Sequence, residues 1–274
     1  MRILYATDGS KQALAAAALL TELPLGPDCR LTVLTVAPRG EEEAAERTLA
    51  AAREALQPSA ARVETAVRNG NPAEEILTAA EEQPTDLLVM GASGVSAIAR
   101  FFTGTVTERV VQHARCPVLV VRPGPERWRE VLIGVDGSEG GARAAEWVRS
   151  FPLPPDSQVR LVTLIPNLHA IARERLTVMP PLVEGNKTLD ELEREEAQLR
   201  LDTLCEAFVA SGKKAVTEIR SADPATGLLD AATDEGAGIL VVGSHGRSAV
   251  QRFLLGSVSQ NVLRHAPCSV LVVK

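Results

Sequence analysis

Two glycine-hinged segments carry the residue types that could hold an anionic ligand. In one, Leu240-Val241-Val242 runs into Gly243, Gly246 follows three positions on, and after nine intervening residues Gly256-Ser257 opens a stretch in which Val258, Val262 and Leu263 share a helical face. In such a strand, loop and helix start, Gly243 and Gly246 let the backbone turn and approach a ligand with no Cβ in the way. Gly256-Ser257 falls where the first N–H groups of a helix lack intrahelical partners and can face an anion. One Gly-x-x-Gly is a weak signal. The same spacing recurs at Gly91, Gly94 and Gly104-Thr105-Val106-Thr107, and an internal repeat of this kind organises the rest of the chain.

Other chemistries have little support. No Gly-x-x-x-x-Gly-Lys-Ser/Thr loop is present, so the lysine that reaches β- and γ-phosphates in P-loop enzymes is missing. No Gly-x-Gly-x-x-Gly follows the first strand, and no Ser-His-Asp or metal-ligand spacing stands out. Plainer readings stand beside the ligand-binding one. The glycine loops can be structural turns, Asp8 and Asp136 can start Asx turns that cap the next helix, and His245 can be a solvent-facing loop residue. His113 and His265 fit helix C-termini, and Cys116 and Cys268 fit as small apolar packing residues. Glu191 to Arg200 reads as a solvated helical face with Glu–Arg pairs, or as a partner surface.

The elements that position these residues follow in order. Residues 2–7 read as a buried strand ended by Asp8-Gly9-Ser10, then a helix to about Leu23. Strands follow at Leu31–Val36, Val63–Val67, Asp86–Met90 and Pro117–Val121, with helices at Glu41–Leu56, from Asn71-Pro72 through Glu82, and from Gly104 to about Ala114. After a linker from Arg122 to Glu130 the pattern restarts at Val131, with strands at Val159–Ile165, Ala215–Ile219, Ile239–Val242 and Cys268–Val273. Asp223-Pro224 repeats Asn71-Pro72 as an N-cap followed by proline at the first helical position. The interval is 128 residues from Asp8 to Asp136 but 152 from Gly91 to Gly243, which leaves 24 extra residues in the second half. They are placed in an insertion at about 167–187, followed by a charged helix over Thr188–Ala210.

Alternating strands and helices predict an α/β architecture: two repeated, doubly wound five-stranded parallel-sheet domains, at 1–124 and 129–274, packed as an internal pseudo-dimer. The terminal strand of each half is apolar, and the two are expected to pair across the pseudo-two-fold. Ligands of such sheets sit beyond the carboxyl ends of the strands, at the switch point. If strands one and four are neighbours, Asp8 and the first glycine loop border one crevice, Asp136 and the second loop another.

Composition bounds the rest. The chain has 274 residues, 45% hydrophobic and only 3% aromatic, so a core of Leu, Val, Ala and Ile is expected. A net charge of −6 argues against nucleic acid or an anionic membrane as partner. The opening Met-Arg-Ile-Leu-Tyr-Ala-Thr-Asp reaches charge too early for a secretory signal, and no apolar run approaches the ~18 residues of a membrane span. Four cysteines without C-x-x-C spacing suggest neither zinc nor a disulfide framework. A cytoplasmic setting is the expectation.

On the duplicated Gly-x-x-Gly, nine residues, Gly-Ser/Thr, with Val135-Asp136-Gly137-Ser138, Asp223-Pro224 and the terminal Cys268-Ser269-Val270-Leu271-Val272-Val273, the chain resembles the universal stress protein family in its tandem form. The resemblance covers all but the linker and the insertion, and implies the open-sandwich fold of adenine-nucleotide α-hydrolase-like domains. It implies ATP, with or without Mg²⁺, as ligand. The triphosphate would rest on main-chain N–H groups of Gly243, Ser244, His245, Gly246 and Arg247 and of Gly256, Ser257 and Val258, with the Ser257 and Ser259 hydroxyls helping. Adenine would lie near Ile165, flanked with the ribose by Gly134 and Asp136. In the first half Gly91, Gly94, Gly104, Thr105, Val106 and Thr107 would take the phosphate role, and Ala6, Asp8 and Val36 the others. There Ala92-Ser93-Gly94-Val95 replaces Ser244-His245-Gly246-Arg247, removing an imidazole and a basic side chain, so the second site ranks above the first. The function implied is a nucleotide-dependent stress or signalling regulator with an unknown protein partner and little or no catalysis, as an internal pseudo-dimer that can pair further. The alternatives are a non-nucleotide interaction protein whose segment from Asn167 to Ala210 carries the function, and an ATP pyrophosphatase or nucleotidyl transferase of related fold.

Overall fold

The computed structural model describes residues 1–38, 40–59, 61–92, 104–124, 128–165, 189–246 and 255–274. The expected insertion at 167–187, together with Gly94 and Arg247, lies outside the described residues.

The first half runs β1 (Arg2–Ala6), α1 (Lys11–Thr21), β2 (Arg30–Ala37), α2 (Glu42–Ala55), β3 (Arg62–Asn69), α3 (Pro72–Glu82), β4 (Leu87–Gly91), α4 (Thr105–His113) and β5 (Val118–Val121). The second runs β6 (Glu130–Gly134), α5 (Glu139–Ser150), β7 (Gln158–Ile165), α6 (Leu189–Ala210), β8 (Lys214–Ser221), α7 (Pro224–Asp234), β9 (Ile239–Gly243), α8 (Ser257–His265) and β10 (Ser269–Val273). The helix starts are chemically specified. Asn71 Oδ1 accepts from the N–H groups of Ala73 and Glu74, and Asp223 Oδ1 from those of Ala225 and Thr226, each ahead of a proline that needs no N–H partner there.

All ten strands form one sheet in the order β3-β2-β1-β4-β5-β10-β9-β6-β7-β8. Every neighbouring pair is parallel except β5 and β10, which run antiparallel with Leu119 opposite Leu271. The expected pairing of the two terminal strands is therefore present, and it turns two five-stranded sheets into one. β1 lies between β2 and β4, and β6 between β7 and β9, so each half has its switch point where strands one and four meet.

The β1, β4, β5, β6, β9 and β10 runs are apolar almost throughout because helices cover both sheet faces. One buried layer contains Ile3, Tyr5, Leu119, Ile133 and Leu271; the other contains Leu4, Leu88, Val118, Leu132 and Val270. Each layer passes through both halves without a break. Trp128, in the expected linker, is also buried, stacks on Phe151 and donates from Nε1 to Leu19 O at 2.9 Å. The segment thus ties the second half to α1.

The joint carries a reciprocal contact. Arg122, just past β5, is buried and donates to the Leu263 carbonyl at the end of α8 at 2.6 Å. Lys274, its counterpart past β10, donates from Nζ to the Val111 carbonyl near the end of α4. Cations suit helix C-termini. Burial lowers Lys274 to about 8, and raises the thiols beside the two cations, Cys116 to about 11 and Cys268 to about 12. Those cysteines are buried and unpaired, as packing residues would be.

Candidate functional site

A cavity of about 670 Å³ opens at the carboxyl ends of β6, β7 and β9. Its walls are Gly134, Val135 and Asp136 after β6, Thr163, Leu164 and Ile165 of β7, Val242 and Gly243 of β9, His245 and Gly246 of the glycine loop, and Gly256 to Ser259 at the start of α8. Of the expected second-half residues, Gly134, Asp136, Ile165, Gly243, His245, Gly246, Gly256, Ser257, Val258 and Ser259 are brought together here.

The floor is fixed by hydrogen bonds that recur in both halves. Thr163 Oγ1 donates to Val135 O at 2.7 Å, and Thr35 Oγ1 to Thr7 O at 3.0 Å. Asp136 Oδ1 accepts from the Ser138 N–H at 3.0 Å and its hydroxyl at 2.5 Å, and Ser138 Oγ in turn accepts from the Gly141 N–H. Asp8 Oδ1 likewise accepts from the Ser10 N–H, and Ser10 Oγ from the Ala13 N–H. One oxygen of each aspartate is therefore engaged in an Asx turn that starts the next helix. The second Asp136 oxygen faces the loop: a Cβ at Gly246 would stand 2.8 Å from Oδ2.

Gly256 caps α8 with an extended backbone, φ −65° and ψ 155°, and has no side chain to bond the first turn. The N–H of Gln260 closes onto Gly256 O, so the N–H groups of Ser257, Val258 and Ser259 precede the intrahelical ladder and border the cavity. Three such donors carry the positive end of the helix dipole, and this end can accept an anion. Gly104, at φ −66° and ψ 152°, caps α4 in the same way.

Several expected donors are committed elsewhere. The Ser244 N–H donates to Val273 O at 2.7 Å, and Ser244 does not line the cavity. The Gly256 N–H donates to Ser244 O at 2.8 Å, and Ser259 Oγ to Gly243 O at 2.6 Å. In the first half the Gly104 N–H donates to Ala92 O, and Thr107 Oγ1 to Gly91 O at 3.1 Å. These bonds hold the helix start against the strand end, and leave the N–H groups of His245, Gly246, Ser257, Val258 and Ser259 without a hydrogen bond among the described residues. Gly243 also has a packing role. A Cβ there would stand 2.5 Å from the Gly140 backbone, and one at Gly91 would stand 2.9 Å from Ala13 N. His245 Nδ1 lies 3.0 Å from Ser244 Oγ, while Nε2 is buried without a hydrogen-bond partner among the described residues.

Three features were not anticipated. Strand register makes Ala37 the counterpart of Ile165, since they pair with Asn69 and Ser221 respectively; Val36 corresponds to Leu164. A shift of one residue moves a side chain to the other sheet face. Pro224 and Leu228 of α7 also line the cavity. The third is α6. The stretch read as a solvated face buries Ala197, continues into buried Leu201 and Phe208, and sets Glu193, Glu196 and Arg200 on the cavity wall. Apolar residues at this helical spacing were the available signal. In the first half Ala6 is buried, Asp8 and Thr105 are exposed, and Val36, Gly91, Gly104 and Val106 are half-buried around the corresponding strand ends.

Residues 1–122 and 127–274 each match the model of the Universal stress protein family. A universal stress protein of Methanocaldococcus jannaschii is 28% identical over 57% of this chain and 87% of its own length. One from Thermus aquaticus is 37% identical over 44% of this chain and 97% of its own. The crystal structure of a universal stress protein from Archaeoglobus fulgidus superposes over 100% of this chain and 96% of that one with a TM-score of 0.69 at 21% identity, a likeness of fold.

Proposed function

The chain belongs to the universal stress protein family, and from that premise we propose that its second half is an adenine-nucleotide site, with ATP as the ligand. The observation that carries this reading is the convergence of three N–H groups at the start of α8, without hydrogen-bond partners among the described residues, with a cavity of about 670 Å³ at the switch point of the second half. That volume suits a small-molecule site, which runs to ~300–1,000 Å³. The described residues fit the group. The apolar end of Leu164, Ile165, Pro224 and Leu228 is suited to a purine, Asp136 Oδ2 to hydroxyls of a ribose, and the Ser257, Val258 and Ser259 N–H groups to phosphate. Mg²⁺ would accompany the phosphates from solution, since no group of three or more metal-binding side chains occurs among the described residues.

The units 1–124 and 129–274 then act as a pseudo-dimer with unequal sites. The protein works by binding: nucleotide held at the start of α8 changes which protein partner the surface accepts, with little or no catalysis. The setting we propose is cytoplasmic; among the described residues no helix is long and apolar enough to cross a membrane. Titration calorimetry of the folded protein, first freed of any retained nucleotide, with ATP and MgCl₂ tests this reading. Saturable binding with one dominant site is expected. No heat at millimolar ATP, from a protein with native circular dichroism, overturns it.

A further inference from the structure

The two halves differ at one position above the Asp-Gly-Ser turn. In the first half the turn glycine, Gly9, is covered by Thr48 of α2; a Cβ on Gly9 would meet Thr48 Oγ1 at 3.1 Å. In the second half the turn glycine, Gly137, is covered by Arg200 of α6; a Cβ there would meet the guanidinium carbon at 2.8 Å and Nη1 at 2.9 Å. Thr48 and Arg200 stand 152 residues apart, the interval that also relates Gly91 to Gly243, so they are the same position of the repeat. Thr48 spends its hydroxyl on its own helix, donating to Ala44 O at 3.1 Å. Arg200 has no hydrogen bond or ion pair to any of the described residues, and it lines the cavity.

The charge around it makes this placement consequential. Among the described lining residues the acids are Asp136, Glu193 and Glu196, and Arg200 is the only arginine or lysine. A polyanion entering a wall of carboxylates is repelled unless a cation faces it. Arg200 rests on Gly137, Gly137 follows Asp136, and Asp136 Oδ2 abuts Gly246. The guanidinium therefore belongs to the same rim as the glycine loop, and its planar fork is suited to phosphate oxygens.

We propose that Arg200, delivered by α6, is a side-chain cation that recognises the phosphate groups of a nucleotide in the second half and helps set that half apart from the first, where Thr48 stands in its place. The inference rests on the nucleotide reading above and adds a specificity residue to it.

The test titrates wild type, Arg200→Met and Arg200→Lys, each freed of retained nucleotide, with ATP, AMP and adenosine in MgCl₂, with circular dichroism as the check on folding. Arg200→Met should weaken ATP ~10–100-fold, a loss expected for a removed charge-assisted contact. AMP should weaken less, and adenosine less than ~3-fold, a change below the discrimination such a contact gives. Arg200→Lys should recover part of the ATP affinity by keeping the charge. Thr48→Arg is the converse variant, expected to strengthen ATP at the first half. Equal weakening of ATP and adenosine, or unchanged ATP affinity in Arg200→Met, overturns the role given to Arg200 and leaves the site itself standing. Absence of binding by wild type overturns both.

Discussion

Gly243 and Gly256 are both glycines of the repeated motif, yet they serve different ends. Gly243 permits the start of α5 to sit against the end of β9, because any Cβ would overlap the Gly140 backbone. Among the described residues the nearest atom to a Cβ on Gly256 is Ser244 O at 3.4 Å, an ordinary contact, so none of them demands a glycine there for packing. Gly243→Ala should accordingly destabilise the protein by ~1–3 kcal/mol or more through overpacking. Gly256→Ala should cost less, ~1 kcal/mol, the loss expected when alanine replaces a better N-cap residue. Urea denaturation of both variants checks this, and similar midpoints for the two would contradict it. The motif spacing was legible in the sequence, but this division was not, because it depends on a helix more than a hundred positions away. The same holds for the Ser244 N–H, which looked available until β10 was seen to supply Val273 O. Local sequence shows which backbone can approach a ligand; only the tertiary contacts show which donors remain.

At the level of elements, boundaries and order were largely readable. Caps at Asn71 and Asp223, the proline after each and the apolar strands marked the elements because each signal is local. The role of α6 was missed because its charged residues hid the spacing of Ala197, Leu201 and Phe208, and because its partner surface is on β7 and β8. Helix ends also carry the joint. Lys274 sits at the end of α4 with its acidity constant lowered by burial from 10.5 to about 8. Between those values the folded chain holds fewer protons than the unfolded one, so this group's contribution to stability rises with pH. It is fully present above 10.5 and is lost as pH falls through about 8. The two buried thiols act in the opposite sense, but only above their ordinary 9.0. Wild type should therefore gain on Lys274→Met between about pH 7 and about pH 9, by up to ~1 kcal/mol per unit within the window. Unfolding free energies of the pair at the two pH values provide the check; a constant difference would remove the assigned titration.

For the whole molecule, the β5 and β10 pairing has a cooperative consequence. Both buried layers run through the joint, with Leu119 facing Leu271 at its centre. Calorimetry should show one unfolding transition, and Leu119→Ala should lower it as a single event by ~2–5 kcal/mol. Two resolved transitions in wild type would show that the halves unfold independently. The pairing was foreseeable from two apolar terminal strands. The continuity of the layers was not, because it depends on both strands presenting matching faces in antiparallel register.

The most direct test of the central claim is the nucleotide retained by the folded protein. Freshly purified wild type, Gly256→Val and Gly104→Val are heat-denatured, and whatever is released is identified by chromatography. A β-branched side chain at either cap should fill the anion cradle of one half while leaving the sheet intact. The account predicts ATP from wild type near one equivalent per dominant site, lost mainly in Gly256→Val and largely retained in Gly104→Val. Release of no nucleotide from wild type, with no uptake when ATP and Mg²⁺ are added, would contradict it and favour an interaction protein that keeps the fold as a scaffold.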